Sequence, residues 1–215
     1  MSYQYLLFDL DGTLTDPGIG ITNSVMYALK KYNINVNDRA CLYKFIGPPL
    51  IDSFMEFNNF SREQAEQAVI YYREYFMDKG LFENQPYEDI EHVLETLKAK
   101  QKTLIVATSK PTIMAEKILE HFELRQYFSE VVGSNMDNTR TTKSEVIQYI
   151  LENRYITDLR QAVMIGDRKH DIIGAKTCGL DSIGVLYGYG DQEEHRKAGA
   201  TYIAKYPKDI LPYVL

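Results

Sequence analysis

Cys41 and Cys178 are the only two cysteines, and they lie far apart in the chain. Such a pair makes neither a disulfide framework nor a zinc pattern. A reducing, cytoplasmic setting is therefore expected, with both thiols acting as small buried hydrophobes. No stretch approaches the roughly 18 apolar residues that a membrane span needs, so no membrane partner is expected. Positive charge is in deficit: 24 Lys plus Arg stand against 30 Asp plus Glu, a net charge of −6. Phosphate backbones demand a basic face, so nucleic acid is not an expected partner either. The opening MSYQYLLFDLDG has no basic region and meets acids too early to read as a signal peptide. There is no internal repeat and no low-complexity tract. What is present is ordinary globular material: 45% hydrophobic residues, with 17 Tyr and 9 Phe, which argues against disorder. The length of 215 residues can bury a sizeable core. It suits one domain, or a domain carrying an inserted module.

Continuous apolar runs mark the strands. Tyr5 to Leu10 ends at Asp9, Asp11 and Gly12; Lys102 to Ala107 ends at Thr108, Ser109, Lys110 and Pro111. Ala162 to Ile165 ends at Gly166 and Asp167; Ser182 to Leu186 ends near Gly188 and Gly190; Glu130 to Val132 is a shorter run. Runs without alternation indicate strands covered on both faces, as in parallel sheets. Between them lie helical stripes. Tyr87 to Lys100 places Ile90, Val93, Leu94 and Leu97 on one face. Thr112 to Phe122 does so with Ile113, Ile118, Leu119 and Phe122, and Ser144 to Asn153 with Val146, Ile147, Ile150 and Leu151. This alternation predicts an α/β fold, a doubly wound parallel sheet. Residues 17–82 break the rhythm and read as helices. Asp38 starts one, Gly47-Pro48-Pro49 divides it from the next, and Ser61 with Gln64 forms a capping box for another that Gly80 ends. The division expected is an α/β core over 1–16 and 83–215 with an all-helical insert over 17–82.

The chemistry-bearing residues sit where strands end, the place where open α/β sheets bind ligands. If the strands are neighbours, Asp9, Asp11, Asp167 and Asp171 converge with Thr108 and Ser109. Clustered acids repel one another unless a cation intervenes, and oxygen-only ligands suit Mg²⁺. Lys143, at a helix start, reaches in as a fixed positive charge, with Lys110 as its competitor. Asp9 and Asp11 point to the same side of an extended segment, so one can attack phosphorus while the other handles the leaving-group proton. Gly12 and Thr13 let the chain turn and offer N–H groups to phosphate oxygens.

The run Asp9-Leu10-Asp11-Gly12-Thr13-Leu14-Thr15-Asp16 resembles the first motif of the haloacid dehalogenase superfamily. Thr108-Ser109-Lys110 resembles its second motif, Lys143 its third, and Gly166 to Asp171 its fourth. The order and spacing match over nearly the whole chain. The insert resembles a C1-type helical cap over a Rossmann-like core. Phe45 to Leu50, Tyr72-Arg73 and Gly188-Tyr189-Gly190 look like the phosphoglycolate phosphatase-like branch. The resemblance implies Asp9 as nucleophile and Asp11 as general acid and base. It implies Gly12, Thr108, Ser109 and Lys143 on the phosphate, and Mg²⁺ on Asp9, Asp167 and the Asp11 carbonyl. Asp171 would serve metal water or Lys143, and the cap would open at hinges near Asp16 to Gly18 and Leu81 to Pro86. An acid at position 11 separates phosphatases and phosphomutases from the dehalogenase and phosphonatase branches.

The function expected is a Mg²⁺-dependent phosphomonoesterase. Its substrate would be a small metabolite such as phosphoglycolate or a nucleoside 5′-monophosphate, handled by a monomer or weak homodimer. Alternatives on the same site are a sugar phosphomutase and a pyrophosphatase. A phospho-accepting switch is the non-enzyme alternative. His170 reads as a loop residue, Ser109 also as a helix N-cap, and Arg168 with Lys169 as a positive rim favouring anionic substrates. Tyr43, Phe45, Phe54, Met55 and Phe57 line a pocket or, more commonly for such spacing, a core.

Overall fold

The computed structural model describes residues 3–137, 139–154 and 156–215. The chain divides into two compact units, Met1–Asp16 with Pro86–Leu215, and Pro17–Gln85. In chain order the strands are β1 (Tyr5–Phe8), β2 (Thr15–Asp16), β3 (Gln85–Pro86), β4 (Thr103–Pro111), β5 (Glu130–Ser134), β6 (Ala162–Gly166), β7 (Asp181–Val185) and β8 (Tyr202–Ala204). The α-helices are α1 (Gly18–Lys30), α2 (Leu50–Asn58), α3 (Arg62–Tyr75), α4 (Ile90–Ala99), α5 (Thr112–His121), α6 (Lys143–Asn153), α7 (Lys169–Thr177), α8 (Gln192–Ala198) and α9 (Leu211–Val214).

The first unit is a parallel six-stranded sheet in the order β5-β4-β1-β6-β7-β8. The strand that enters first is thus central, and later strands add outward on both sides. Phe8, the last residue of β1, pairs with Val106 on one side and Ile165 on the other. The three segments that leave these strands therefore emerge side by side. Leu7, Ile105 and Met164 meet Val146, Ile147 and Ile150 of α6 and Ala175 of α7 in one apolar core. On α4, Ile90, Val93, Leu94 and Leu97 are buried, so that stripe has the expected face.

Several boundaries move for local reasons. Helix α4 starts at Ile90 rather than Tyr87, because the Tyr87 N–H donates to Leu14 O (3.1 Å) and Asp89 takes a left-handed turn (φ 65°). On α5 it is Met114, not Ile113, that faces inward; Ile113 is 54% exposed. Strand β4 continues through Thr108, Ser109 and Lys110 instead of ending at Ala107. Strand β8 is too short and too weakly apolar to stand out in the sequence.

The second unit is helical. Asp38 accepts the Ala40 N–H (2.9 Å) and caps a 3₁₀ helix, Arg39–Phe45. Ser61 and Gln64 close the capping box at the start of α3. Phe45 and Phe54 are buried and meet edge to face (5.1 Å), which places them in this unit's core; Tyr43 and Met55 are exposed. Gly80 ends a π-helical turn, Phe76–Gly80, but not by adopting a left-handed cap. The turn crosses α1 closely: a Cβ on Gly80 would lie 2.8 Å from Ser24 Oγ and 3.0 Å from Gly20 O, and one on Gly20 would lie 2.0 Å from Gly80 O. Glu83 belongs to this unit: it takes hydrogen bonds from Gly20 N (3.0 Å), Asn23 Nδ2 (2.9 Å) and Tyr75 OH (3.1 Å). Cys41 is exposed, contrary to expectation, because it rides on the outer side of the capped 3₁₀ turn; Cys178 is half-buried.

Because Leu7 is fully buried between α6 and the sheet's central strands, Leu7→Ala should cost about 2–5 kcal/mol of unfolding free energy. Urea denaturation of the two proteins checks this; a loss below about 1 kcal/mol would contradict the packing described.

Candidate active site

The residue after β1 is Asp9, whose N–H donates to Ile165 O (2.9 Å) and extends the parallel register by one step. The chain then closes on itself. Leu10 O accepts from Thr13, Leu14 and Thr15 N, and the Gly12 N–H donates to Thr15 O (2.8 Å). The N–H groups of Gly12 and Thr13 are therefore spent inside the turn and are not offered to phosphate as expected. Gly12 is needed for another reason. Its φ is +81°, and a Cβ there would lie 2.1 Å from Asp167 Oδ2.

Four carboxylates and two ammonium groups share the buried space beyond the strand ends. Asp9, Asp11, Asp167 and Asp171 are all under 9% exposed, as is Lys143, and Lys110 is 9% exposed. Lys143 Nζ contacts Asp9 Oδ1 (2.8 Å), Asp171 Oδ1 (2.8 Å) and Ala107 O (2.8 Å). Its three hydrogens thus meet protein acceptors, so it begins as the counter-charge and anchor of Asp9 rather than an open donor to phosphate. It is positioned by α6, where Thr142 and Glu145 form a capping box just before it. Lys110 does not compete for this place. Its ammonium pairs with Asp11 Oδ2 (2.9 Å). Asp9 Oδ1 also takes the Leu10 N–H (2.7 Å), so both of these contacts fall on one oxygen.

Asp167 is held by a segment whose role the sequence did not reveal. The Tyr189 N–H donates to Asp167 Oδ2 (2.7 Å). A Cβ on Gly188 would lie 2.4 Å from the Asp167 Cβ, and one on Gly190 would lie 2.0 Å from Asp167 O. Tyr187 OH reaches Thr13 O (3.0 Å), and Tyr189 OH bonds Asp16, so the same segment braces the turn after β1. Two glycines flanking a tyrosine after an apolar run were the visible signal. Asp171 takes the Arg168 N–H (3.0 Å) at the start of α7 while its other oxygen pairs with Lys143.

Other expected members stand apart. Thr108 is buried beside the cluster, its Oγ1 accepting the Lys110 N–H (3.2 Å). Ser109 is half-buried between them and is not a helix cap; Pro111 occupies that position in α5. The Arg168 guanidinium pairs with Glu194 (3.0 Å), which also takes the Lys169 main-chain N–H (2.7 Å), so Glu194 offsets the Arg168 charge while the Lys169 side chain stays exposed. His170 lies in the first turn of α7, not in a loop, and burial together with Arg168 and Lys169 lowers its pKa.

A family model described as haloacid dehalogenase-like hydrolase matches residues 6–185. The chain belongs to that family. Among its relatives, a 5'-nucleotidase of Pseudomonas aeruginosa is 44% identical over 202 residues, covering 94% of this chain and 91% of the relative. A tyrosine-protein kinase of Mycobacterium tuberculosis is 34% identical, covering 94% of this chain and 68% of its own. A solved Clostridium acetobutylicum structure, described as a predicted phosphatase, superposes with a TM-score of 0.95 at 50% identity, covering 99% of this chain and 100% of that one.

In this haloacid dehalogenase-like hydrolase the charges of the cluster do not balance. With every group ionised, four carboxylates face two ammonium groups, a surplus of two negative charges. Burial pushes the Asp9, Asp11 and Asp167 carboxyls above the usual range. Lys143 and Lys110 pull the first two back, whereas the Asp171 and Asp9 charges push Asp167 further. For Lys143, burial works against the charge, but Asp171 and Asp9 outweigh it and raise its pKa. Oxygens of Asp9, Asp167 and Asp171 lie within 4.8 Å of one another. Asp167 Oδ1 is buried with no hydrogen-bond partner among the described residues. A surplus of two charges, an orphaned oxygen and an all-oxygen donor set fit a hard divalent cation.

Two variants test this balance. In cation-free protein, Asp167→Asn removes a buried carboxylate facing two others and should raise Tm, by about 2–4 °C per kcal/mol gained. It should also abolish the rise in Tm that added Mg²⁺ gives the wild type. A lower Tm, or an undiminished Mg²⁺ response, contradicts the assignment. Lys143→Met strands Asp9 and Asp171 without their counter-charge and should cost about 3–5 kcal/mol by denaturant titration.

Proposed function

We propose that this hydrolase is a Mg²⁺-dependent phosphomonoesterase working through an aspartyl-phosphate on Asp9, with nucleoside 5′-monophosphates as its leading substrate class. The observation that carries the reading is the pair Asp9 and Asp11 at the mouth of the central strand, each carboxylate tied by one oxygen to its own lysine. The α/β unit would hold the chemistry, and the inserted helical unit would be the cap that selects the leaving group.

Asp9 attacks phosphorus as the bond to the leaving alkoxide breaks, and Asp11 gives its proton to that oxygen. The products of this step are the alcohol and aspartyl-phosphate. Water then attacks phosphorus, its proton passes to Asp11, and inorganic phosphate leaves with Asp9 restored. Lys143 orients Asp9 and opposes the effect of burial on its charge, and Asp171 holds Lys143 in place. The Thr108 hydroxyl, buried on β4 two residues before Lys110, would donate to a phosphoryl oxygen. Asp9, Asp167 and the Asp11 carbonyl would hold Mg²⁺, which supplies charge neutralisation at the phosphoryl group when bound. Pre-set charges of this kind account for most of the catalysis in phosphoryl transfer.

Two lines support the substrate class. The 44% identical relative over 94% of the chain is named a 5'-nucleotidase. The Arg168–Glu194 pair offsets one of the two rim charges that would favour a more highly charged substrate such as diphosphate, leaving Lys169. No helix among the described residues is long and apolar enough to cross a membrane.

Phosphate release from nucleoside monophosphates, phosphoglycolate, sugar phosphates and diphosphate, with Mg²⁺, tests the reading. Nucleoside monophosphates should turn over fastest, and Asp9→Asn should lose at least roughly 10³-fold in kcat. Activity surviving in Asp9→Asn overturns the mechanism. Preference for another class overturns the substrate assignment. ATP-dependent labelling of a tyrosyl peptide, the activity in the mycobacterial relative's name, is the arm expected to stay silent.

A further inference from the structure

Lys110 lies in β4 beyond its regular register. Pairing with β5 runs evenly to Ala107 and Val132, then shifts before Pro111 meets Ser134. Irregularities of this sort re-aim a side chain beside active sites. Here the backbone at Lys110 is clamped twice. Its N–H donates to Thr108 Oγ1 (3.2 Å), and its carbonyl lies where a Cβ on Gly133 would come within 2.1 Å. The side chain therefore starts from a fixed origin. Its ammonium is 2.9 Å from Asp11 Oδ2, and both side chains are buried. A buried ammonium is costly unless paired, so this partnership restrains both groups.

The consequence falls on the other oxygen. Asp11 Oδ1 is buried and has no hydrogen-bond partner among the described residues. We propose that Lys110 is a positioning residue for Asp11: by holding Oδ2 it fixes the carboxyl rotamer and leaves Oδ1 to exchange the proton with the leaving oxygen and then with water. Lys143 fixes Asp9 by the same device, so Asp9 and Asp11 each have a lysine on one oxygen. The proposal rests on the phosphomonoesterase reading, in which Asp11 is the general acid and base. It assigns Lys110 no contact with substrate. Its contribution is orientation, and a loosened carboxyl loses the aligned geometry that proton transfer requires.

Leaving groups separate this role from a merely structural one. An alkoxide needs its proton in the step that forms aspartyl-phosphate, whereas a nitrophenolate leaves without one. Single-turnover rates of that step, with Mg²⁺, are compared for an alkyl phosphomonoester and p-nitrophenyl phosphate in wild type, Lys110→Met, Lys110→Gln and Lys110→Arg. The loss in Lys110→Met should be at least roughly tenfold greater with the alkyl ester than with the aryl ester, within the range general acid catalysis supplies. Lys110→Gln should share this selectivity, which keeps the test intact if the methionine variant does not fold. Lys110→Arg should recover part of the alkyl rate. Asp11→Asn should show the same selectivity as Lys110→Met. Equal losses on the two esters, or no recovery in Lys110→Arg, overturn the role of Lys110. That result, with Asp9→Asn inactive and Asp11→Asn selective, leaves the phosphomonoesterase reading standing. Full activity in Asp9→Asn removes the reading itself.

Discussion

The burial of four carboxylates at the mouth of one strand is the constraint on which the rest of this structure depends. Left alone, such a cluster would protonate or drive the strand ends apart, because removing charges from water costs several kcal/mol each. The protein answers with anchors rather than dilution. Lys143 joins Asp9 and Asp171, Lys110 takes Asp11, and Tyr189 donates a main-chain hydrogen bond to Asp167. Each anchor engages one oxygen of its aspartate. Asp11 and Asp167 each keep a buried oxygen without a hydrogen-bond partner among the described residues.

The fold makes this arrangement possible by placing the first strand at the centre. With β4 and β6 as its neighbours, three chain segments arrive together, carrying Asp9 and Asp11, Thr108 and Lys110, and Asp167. Close approach then matters as much as charge. Gly12, Gly188 and Gly190 leave no room for a Cβ around Asp167. The site is packed like a core although its members are polar. The apolar core of Leu7, Ile105, Met164 and the α6 residues beneath it holds the strands that carry these groups.

Much of this was legible before any coordinates. Five strands and the stripes of α4 and α6 follow from apolar runs and helical spacing, because parallel strands are covered on both faces and α4 and α6 each bury one face. The Ser61–Gln64 box was equally readable, since capping is a local hydrogen-bond pattern. The motif residues stood out as acids placed where apolar runs end. What escaped was non-local. Ile113 fits a helical stripe yet faces solvent, because the buried face of α5 runs through Met114, Ala115, Ile118 and Leu119 instead. The positive run at Arg168 and Lys169 reads as a charged rim, yet Glu194, 26 residues from Arg168, pairs with the Arg168 side chain.

The sequence by itself determined the fold class, the helical insert, the family resemblance and the identity of the acids, because each is written in local pattern and order. Tertiary structure alone decided which lysine serves which aspartate, which turn N–H groups are already spent, and why glycines surround Asp167. Those outcomes depend on distances between segments that are remote in the chain. Lys110 is 99 residues from Asp11 and Tyr189 is 22 from Asp167, so no spacing rule could pair them. The parallel sheet brought them within hydrogen-bonding distance, and a low-dielectric interior made each pairing matter.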